Sequence, residues 1–157
     1  MVLVWQRLEG RDGHTAGREL LARAFWEVYG REMPEISVTD RGKPYFAGHE
    51  AQFSISHTKE HVFCCLAEEA VGIDAEEADR QIDLRLAGRF LSPPEKARWE
   101  ASPDKRTALL RLWVLKEAFA KLTGRGWGDY LRETDFDPAD SRIRCIDGCL
   151  VAALTKA

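Results

Sequence analysis

A chain of 157 residues can hold one ordinary domain, or two small lobes sharing a core. Its 45% hydrophobic and 31% charged content is that of a folded globular protein and carries no disorder signature. The net charge of −3 argues against bulk nucleic-acid binding, and no run of about 18 apolar residues is available to span a membrane.

Met1 to Gln6 reads as a short strand; it lacks a charged n-region and a cleavage site, so no signal peptide is expected. From Thr15 to Tyr29 the pattern predicts an amphipathic helix, with Leu20, Leu21, Ala24, Phe25 and Val28 inward and Gly30 as its stop. Ile36 to Thr39 is a short β-rich run, and Arg41-Gly42-Lys43-Pro44 is a turn. Phe53 to Thr58, Val62 to Ala67 and Val71 to Asp74 read as three strands, close enough in sequence to predict an antiparallel meander.

The texture then becomes helical, with Ile82, Leu86 and Phe90 spaced by four. Ser92-Pro93-Pro94-Glu95 has the form of a capped helix start. Ser102-Pro103-Asp104 opens a long helix that Gly124 closes. That helix is apolar nearly all round, which marks it as central and buried. Thr134 to Phe136, Arg142 to Ile146 and Cys149 to Leu154 read as strands around turns at Asp137-Pro138 and Asp147-Gly148. Helix then strands, followed by helices then strands, predicts an α+β fold that could consist of two related lobes.

Four cysteines are present. Adjacent Cys64 and Cys65 read as small buried strand residues. Cys145 and Cys149 are four apart, with no second matching pair and no histidine nearby in sequence, a spacing that argues against zinc. A reducing, cytoplasmic compartment is the expectation.

Several residues carry chemistry. Asp74 and Glu76, two apart at the end of an apolar run, share one face if the strand continues; two converging carboxylates call for a cation such as Mg²⁺. They could equally begin a solvated acidic stretch. Glu117 and Lys121, one turn apart on the long helix, are either a surface ion pair or two site residues. Ser56-His57-Thr58 ends a strand with groups that can bind phosphate, act as a base or cap a sheet edge. Lys43 on its constrained turn, and His14 and Arg18 on the first helix, are weaker phosphate-binding candidates.

Five blocks occur in one order: Gly42-Lys43-Pro44; Phe53-Ser54-Ile55-Ser56-His57-Thr58; Val71-Gly72-Ile73-Asp74-Ala75-Glu76; Phe90-Leu91-Ser92 with Glu95; and Trp113-x-x-Lys116-Glu117-Ala118-Phe119-x-Lys121. Together they resemble the surfactin-type 4′-phosphopantetheinyl transferases, over about residues 14 to 128. The resemblance implies two pseudo-symmetric lobes, expected at residues 1–75 and 76–157, each a helix packed on a small antiparallel sheet, with the active site at their interface. It implies transfer of phosphopantetheine from coenzyme A to a serine of an apo carrier protein, with release of 3′,5′-ADP. It also implies Mg²⁺ held by Asp74, Glu76 and Glu117, with Glu117 as the base and Lys121 at the pyrophosphate. Lys116 would be a further coenzyme A contact, His57 with Ser56 would hold nucleotide phosphates, and Lys43 with Pro44 would line the adenosine end. Two other readings use the same residues: a binding module for coenzyme A or a carrier protein without turnover, and a Mg²⁺-dependent nucleotide pyrophosphohydrolase.

The chain is shorter at both ends than the longer members it resembles. Lysines that a longer amino-terminal segment gives to the coenzyme A 3′-phosphate have no counterpart, and Arg18, His14 or Arg11 is expected to substitute. Carrier proteins are acidic, so Arg80, Arg85, Arg89, Lys96 and Arg98 are either their docking surface, centred on Arg85 and Arg89, or a solvated helix face. A monomer is expected, since one chain supplies both lobes.

Overall fold

The computed structural model describes residues 1–156. Strand β1 (Val2–Arg7) leads into helix α1 (Gly13–Tyr29). The Asp12 carboxylate caps that helix, accepting from the Thr15 amide at 2.8 Å and its hydroxyl at 2.9 Å, while Gly30 stops it in the left-handed region. The helix therefore begins two residues before Thr15. Its inner face is Gly13, Ala16, Gly17, Leu20, Leu21, Ala24 and Phe25. Val28, expected inside, is exposed; Tyr29 takes over the last turn, its ring 4.5 Å from that of Phe25.

A small hairpin of β2 (Ile36–Val38) and β3 (Pro44–Phe46) encloses the predicted turn, followed by β4 (Gln52–His57) and β5 (His61–Ala67). These last two are antiparallel neighbours in a sheet ordered β1-β5-β4. The predicted meander ends there. Both edges of β5 are occupied, so β6 (Val71–Glu77) cannot pair with it. Instead β6 pairs along its whole length with β8 (Cys149–Thr155), whose other edge holds β7 (Ile143–Ile146).

Between β6 and β7 the chain is helical. The residues Ile82 to Phe90 form a 3₁₀ turn at Leu84–Leu86 and the short helix α2 (Ala87–Phe90) rather than one continuous helix. Helix α3 (Pro93–Ala101) starts with the predicted capping box of Ser92 and Glu95. Helix α4 (Lys105–Thr123) is capped by Asp104 and stopped by Gly124, also as predicted. Thr134 to Phe136 is not a strand. Its backbone groups are used by buried side chains: the Phe136 N–H donates to Glu95 at 2.8 Å, and the Thr134 carbonyl accepts from Lys116 at 2.5 Å.

Strand alternation stacks these pieces as helix, sheet, sheet, helix. On β5, Val62, Cys64 and Leu66 face α1, while Phe63, Cys65 and Ala67 meet Val71, Ile73 and Ala75 of β6 and Cys149 and Val151 of β8. The other face of β8, with Leu150, Ala152 and Leu154, packs under α4. Each half is thus a long helix on a three-stranded antiparallel sheet, and the two sheets share the middle core. Strand β6 runs unbroken through residue 75 in the second sheet.

Two contacts fix the seam between the halves. Ser54 and Ser56 Oγ each accept from a β6 amide, of Ile73 and Ala75, at 3.1 Å. Hydroxyls thus bridge β4 and β6 where direct backbone pairing is absent. On the opposite face of β6, Gly72 lies directly under α4: a Cβ there would stand 2.0 Å from the Ala118 carbonyl oxygen and 2.4 Å from the Leu122 nitrogen. Only glycine permits that approach.

Candidate active site

The alternation that buries Ile73 and Ala75 turns Gly72, Asp74 and Glu76 toward α4, so the predicted shared face of the two carboxylates is realised. Asp74 is buried. Its Oδ1 accepts from Lys121 Nζ at 2.9 Å and from Ser56 Oγ at 3.2 Å. Its Oδ2 is buried without a hydrogen-bond partner. Lys121 also donates to the Ile73 carbonyl at 3.0 Å, so the ammonium is tied to β6 and not to Glu117 one turn away. Glu117 accepts instead from the Trp127 indole N–H at 2.8 Å.

Burial raises the pKa of Asp74 above the usual carboxylate value, against the pull of Lys121. Glu76 and Glu117 are raised as well, first by burial and next by the nearby charge of Asp74. Three carboxylates that each disfavour ionisation, one with an unsatisfied buried oxygen, fit a hard divalent cation such as Mg²⁺. The carboxylate oxygens of the trio do not all lie within 4.8 Å of one another. Glu76 is paired with Arg80, and the Trp113 indole N–H lies near it without completing a hydrogen bond. An ion drawing on all three must therefore compete with Arg80 and Trp127.

In front of this group lies a cleft of about 530 Å³, within the size range of small-molecule sites. Glu117, Lys121, His57, Lys43, Pro44, His14 and Arg18 all line it, joined by Arg41 and Trp127. Its rim is cationic. Arg18 and Arg41 make no hydrogen bond or ion pair among the described residues. Lys43 reaches across the seam to the Leu122 carbonyl at the end of α4, 2.8 Å away, and burial lowers its pKa. His57 stands over the first turn of α1, where a Cβ on Gly13 would come within 2.5 Å of its ring.

Some expected residues are elsewhere. Lys116 is fully buried on another side of α4, paired with Glu95 at 2.9 Å and donating to the Leu131 and Thr134 carbonyls. It holds the 129–136 segment and cannot touch a ligand in the cleft. Ser56 is buried behind Asp74 and orients that carboxylate rather than a phosphate. Arg11 is paired with Glu19 and is absent from the cleft lining.

Sequence reasoning missed Trp127, Arg41 and Gly72. Trp127 sits on the Gly124–Gly128 loop, held by Trp113 and Phe90 with ring centroids 4.9 and 5.9 Å away. Two tryptophans 14 residues apart give no periodic signal of such a contact. The glycine of Val71-Gly72-Ile73, alone in an apolar strand, was the one legible hint of a close backbone approach.

The model of the 4′-phosphopantetheinyl transferase superfamily matches residues 70–148, half of the chain and the half that carries Asp74, Glu76, Glu117 and Lys121. The chain belongs to this superfamily. It is 35% identical over 122 residues to a 4′-phosphopantetheinyl transferase of Bacillus subtilis, covering 73% of this chain and 54% of that protein. It is 33% identical over 128 residues to the 4′-phosphopantetheinyl transferase HetI of Nostoc sp., covering 75% and 54%. With the 4′-phosphopantetheinyl transferase AcpT of Escherichia coli it shares 33% identity over 119 residues, covering 73% and 58%. The chain thus spans about half the length of these curated relatives. No helix among the described residues is long and apolar enough to cross a membrane.

Proposed function

We propose that this chain transfers the 4′-phosphopantetheine arm of coenzyme A to a serine hydroxyl of an apo carrier protein, Mg²⁺-dependently, releasing 3′,5′-ADP. The observation that carries the reading is Asp74. Its Oδ2 is buried and unsatisfied, its Oδ1 is held by Lys121 and Ser56, and it adjoins a cationic cleft that Glu117 enters from α4.

Placement supports the following roles. Arg18, Arg41, His14 and His57 offer charge and hydrogen-bond donors to the phosphates of the nucleotide, and Lys43 with Pro44 borders its adenosine end. Lys121 lies where negative charge builds on the pyrophosphate. The carrier serine oxygen attacks the phosphorus that bears pantetheine, the bond to 3′,5′-ADP breaks, and Glu117 takes the serine proton. Raised affinity for a proton suits Glu117 to that task, and Trp127 aims its carboxylate. Asp74, Glu76 and Glu117 would hold Mg²⁺, which supplies charge neutralisation at the pyrophosphate.

Of the five basic residues considered for docking, Arg80, Arg85, Lys96 and Arg98 already pair with carboxylates. Arg89 is exposed and has no such pair among the described residues, and exposed Leu84 lies nearby in sequence. An acidic helix with an apolar edge fits that combination. One chain supplies both walls of the cleft, so a monomer suffices, and its unpaired cysteines suit the cytoplasm.

The test is mass spectrometry of an apo carrier protein incubated with this chain, coenzyme A and Mg²⁺. Gain of the phosphopantetheine mass, lost in Asp74→Asn and Glu117→Gln, supports transfer. Cleavage of coenzyme A without that gain supports a pyrophosphohydrolase, and retention of intact coenzyme A without turnover supports a binding module.

A further inference from the structure

A second polar cluster lies where the two sheets meet, at the end of β5, β6 and β8. His61, Glu77 and Cys149 come from three strands and converge there: Nδ1 to Glu77 Oε1 is 3.3 Å, Nδ1 to Cys149 Sγ is 3.4 Å, and Sγ to Glu77 Oε2 is 3.4 Å. Among the described residues it is the set of three His, Cys, Asp or Glu side chains whose ligand atoms all lie within 4.8 Å of one another. We propose that His61, Glu77 and Cys149 form a binding site for a thiophilic divalent transition metal of the zinc class.

Distances support this first. Zinc bonds of about 2.0–2.3 Å to nitrogen, oxygen and sulfur at tetrahedral angles place the ligand atoms about 3.3–3.6 Å apart. The two contacts at His61 Nδ1, 3.3 Å to Glu77 Oε1 and 3.4 Å to Cys149 Sγ, have that length, Glu77 Oε2 lies 3.4 Å from the sulfur, and one ligand atom from each residue fits within 4.8 Å of the others.

Hydrogen-bond accounting supports it next. His61 Nε2 lies 2.7 Å from Asp147 Oδ2, and Asp147 is itself held by Arg7 at 2.8 and 3.0 Å. The two Arg7 hydrogen bonds occupy Asp147 as a carboxylate acceptor, and the Nε2 proton donates to it. In a neutral ring Nδ1 is then a lone pair, facing a carboxylate and a sulfur. One thiol proton cannot serve both Nδ1 and Glu77. A cation at the centre satisfies all three, and the Cys149 proton leaves as it binds. A carboxylate behind a ligating histidine is the usual way such a ring is oriented.

The surroundings complete the site. The Cys149 side chain is buried and His61 is 8% exposed, with the rings of Trp5 and Phe63 about it at 6.0 and 6.1 Å. Glu77 is 28% exposed and leaves a fourth position open to water. Thr58 donates to Glu77 at 2.6 Å and fixes it. A thiolate and an imidazole select zinc or cobalt over magnesium, which separates this site from the all-carboxylate group around Asp74. An ion here ties β5 of the first sheet to β6 and β8 of the second.

The test is titration of the chelator-treated full chain with Co²⁺. One equivalent should give a thiolate-to-cobalt charge-transfer band with the intense visible bands of tetrahedral cobalt. Zn²⁺ should displace it and Mg²⁺ should not. Cys149→Ser should abolish the band, and His61→Gln should weaken binding roughly tenfold or more. Cys145→Ser, which alters the exposed cysteine, should leave it unchanged. If Cys149→Ser does not fold, the His61→Gln titration decides. Zn²⁺ should raise the melting temperature of the parent chain and of Cys145→Ser but not of His61→Gln. No thiolate band, or a band that survives both Cys149→Ser and His61→Gln, overturns the proposal.

Discussion

Gly72→Ala isolates the contact that places α4 over β6. The added Cβ would lie 2.0 Å from the Ala118 carbonyl oxygen, 2.4 Å from the Leu122 nitrogen and 2.9 Å from its Cα, where ordinary contact begins at 3.4 Å. All three obstacles are backbone, in a helix buried almost all round, so no rotamer change relieves them. The helix must back away by about 1.4 Å at closest approach. Lys121 Nζ, now 2.9 Å from Asp74 and 3.0 Å from the Ile73 carbonyl, would then leave good hydrogen-bond range, and Glu117 moves with the same turn. Overpacking of this kind costs about 1–3 kcal/mol, and backbone obstacles put it at the upper end. A displacement of about 1 Å at reacting groups costs on the order of 10²-fold in rate. Urea unfolding reads the first quantity, and kcat measured well below the melting temperature reads the second. Gly88→Ala is the control, because a Cβ at that helical position meets nothing within 4 Å. Parental stability and parental kcat in Gly72→Ala would refute the reasoning.

Four further outcomes are expected. Trp127→Phe keeps an aromatic ring but removes the donor to Glu117; kcat should fall, and its acid limb should move to higher pH, because that N–H opposes the rise in Glu117 pKa. Mg²⁺ should raise the melting temperature more as pH climbs through and above the usual carboxylate range. Groups with raised folded pKa lose stability as they ionise, and the cation recovers it; an equal effect at acid and neutral pH would exclude the site. Lys116→Met leaves Glu95 buried and unpaired and should cost about 3–5 kcal/mol in urea unfolding, while Lys116→Met with Glu95→Gln recovers much of it and coenzyme A affinity is unchanged in both. Arg89→Glu should raise KM for the carrier protein and not for coenzyme A, and Arg85→Glu should do so less, since Asp83 already neutralises Arg85.

Local signals in the sequence were strong for the helices. Asp104, Gly124, Gly30 and the Ser92/Glu95 box mark their own ends, because capping is decided within four residues. Strand partners were less legible: β6 sits close to β5 in sequence, yet β1 arrives from the far end of the chain and closes that edge. Asp74 and Glu76 could be placed on one face from period two alone. The direction of a helical lysine could not, so Lys116 and Lys121 looked alike until packing on opposite sides of α4 sent one to Glu95 and the other to Asp74. The same limit hid the triangle of His61, Glu77 and Cys149, whose members approach only through sheet pairing.

The seam explains why a poorly solvated carboxylate persists at Asp74. One edge of β6 is paired by backbone to β8, and the other faces β4 across a gap that backbone hydrogen bonds do not close. Its amides at Ile73 and Ala75 are satisfied by Ser54 and Ser56, and its Ile73 carbonyl by Lys121. Those side chains are needed there whatever the function, because buried backbone groups without partners are costly. Once present, Ser56 and Lys121 both reach Asp74 Oδ1 and fix the carboxylate so that Oδ2 has nothing to accept from. The groups that close the seam are thus the groups that hold Asp74 with its Oδ2 unpartnered. For that reason Ser56→Ala should act on the site and the fold together, while Trp127→Phe, outside the seam, should act on the site alone.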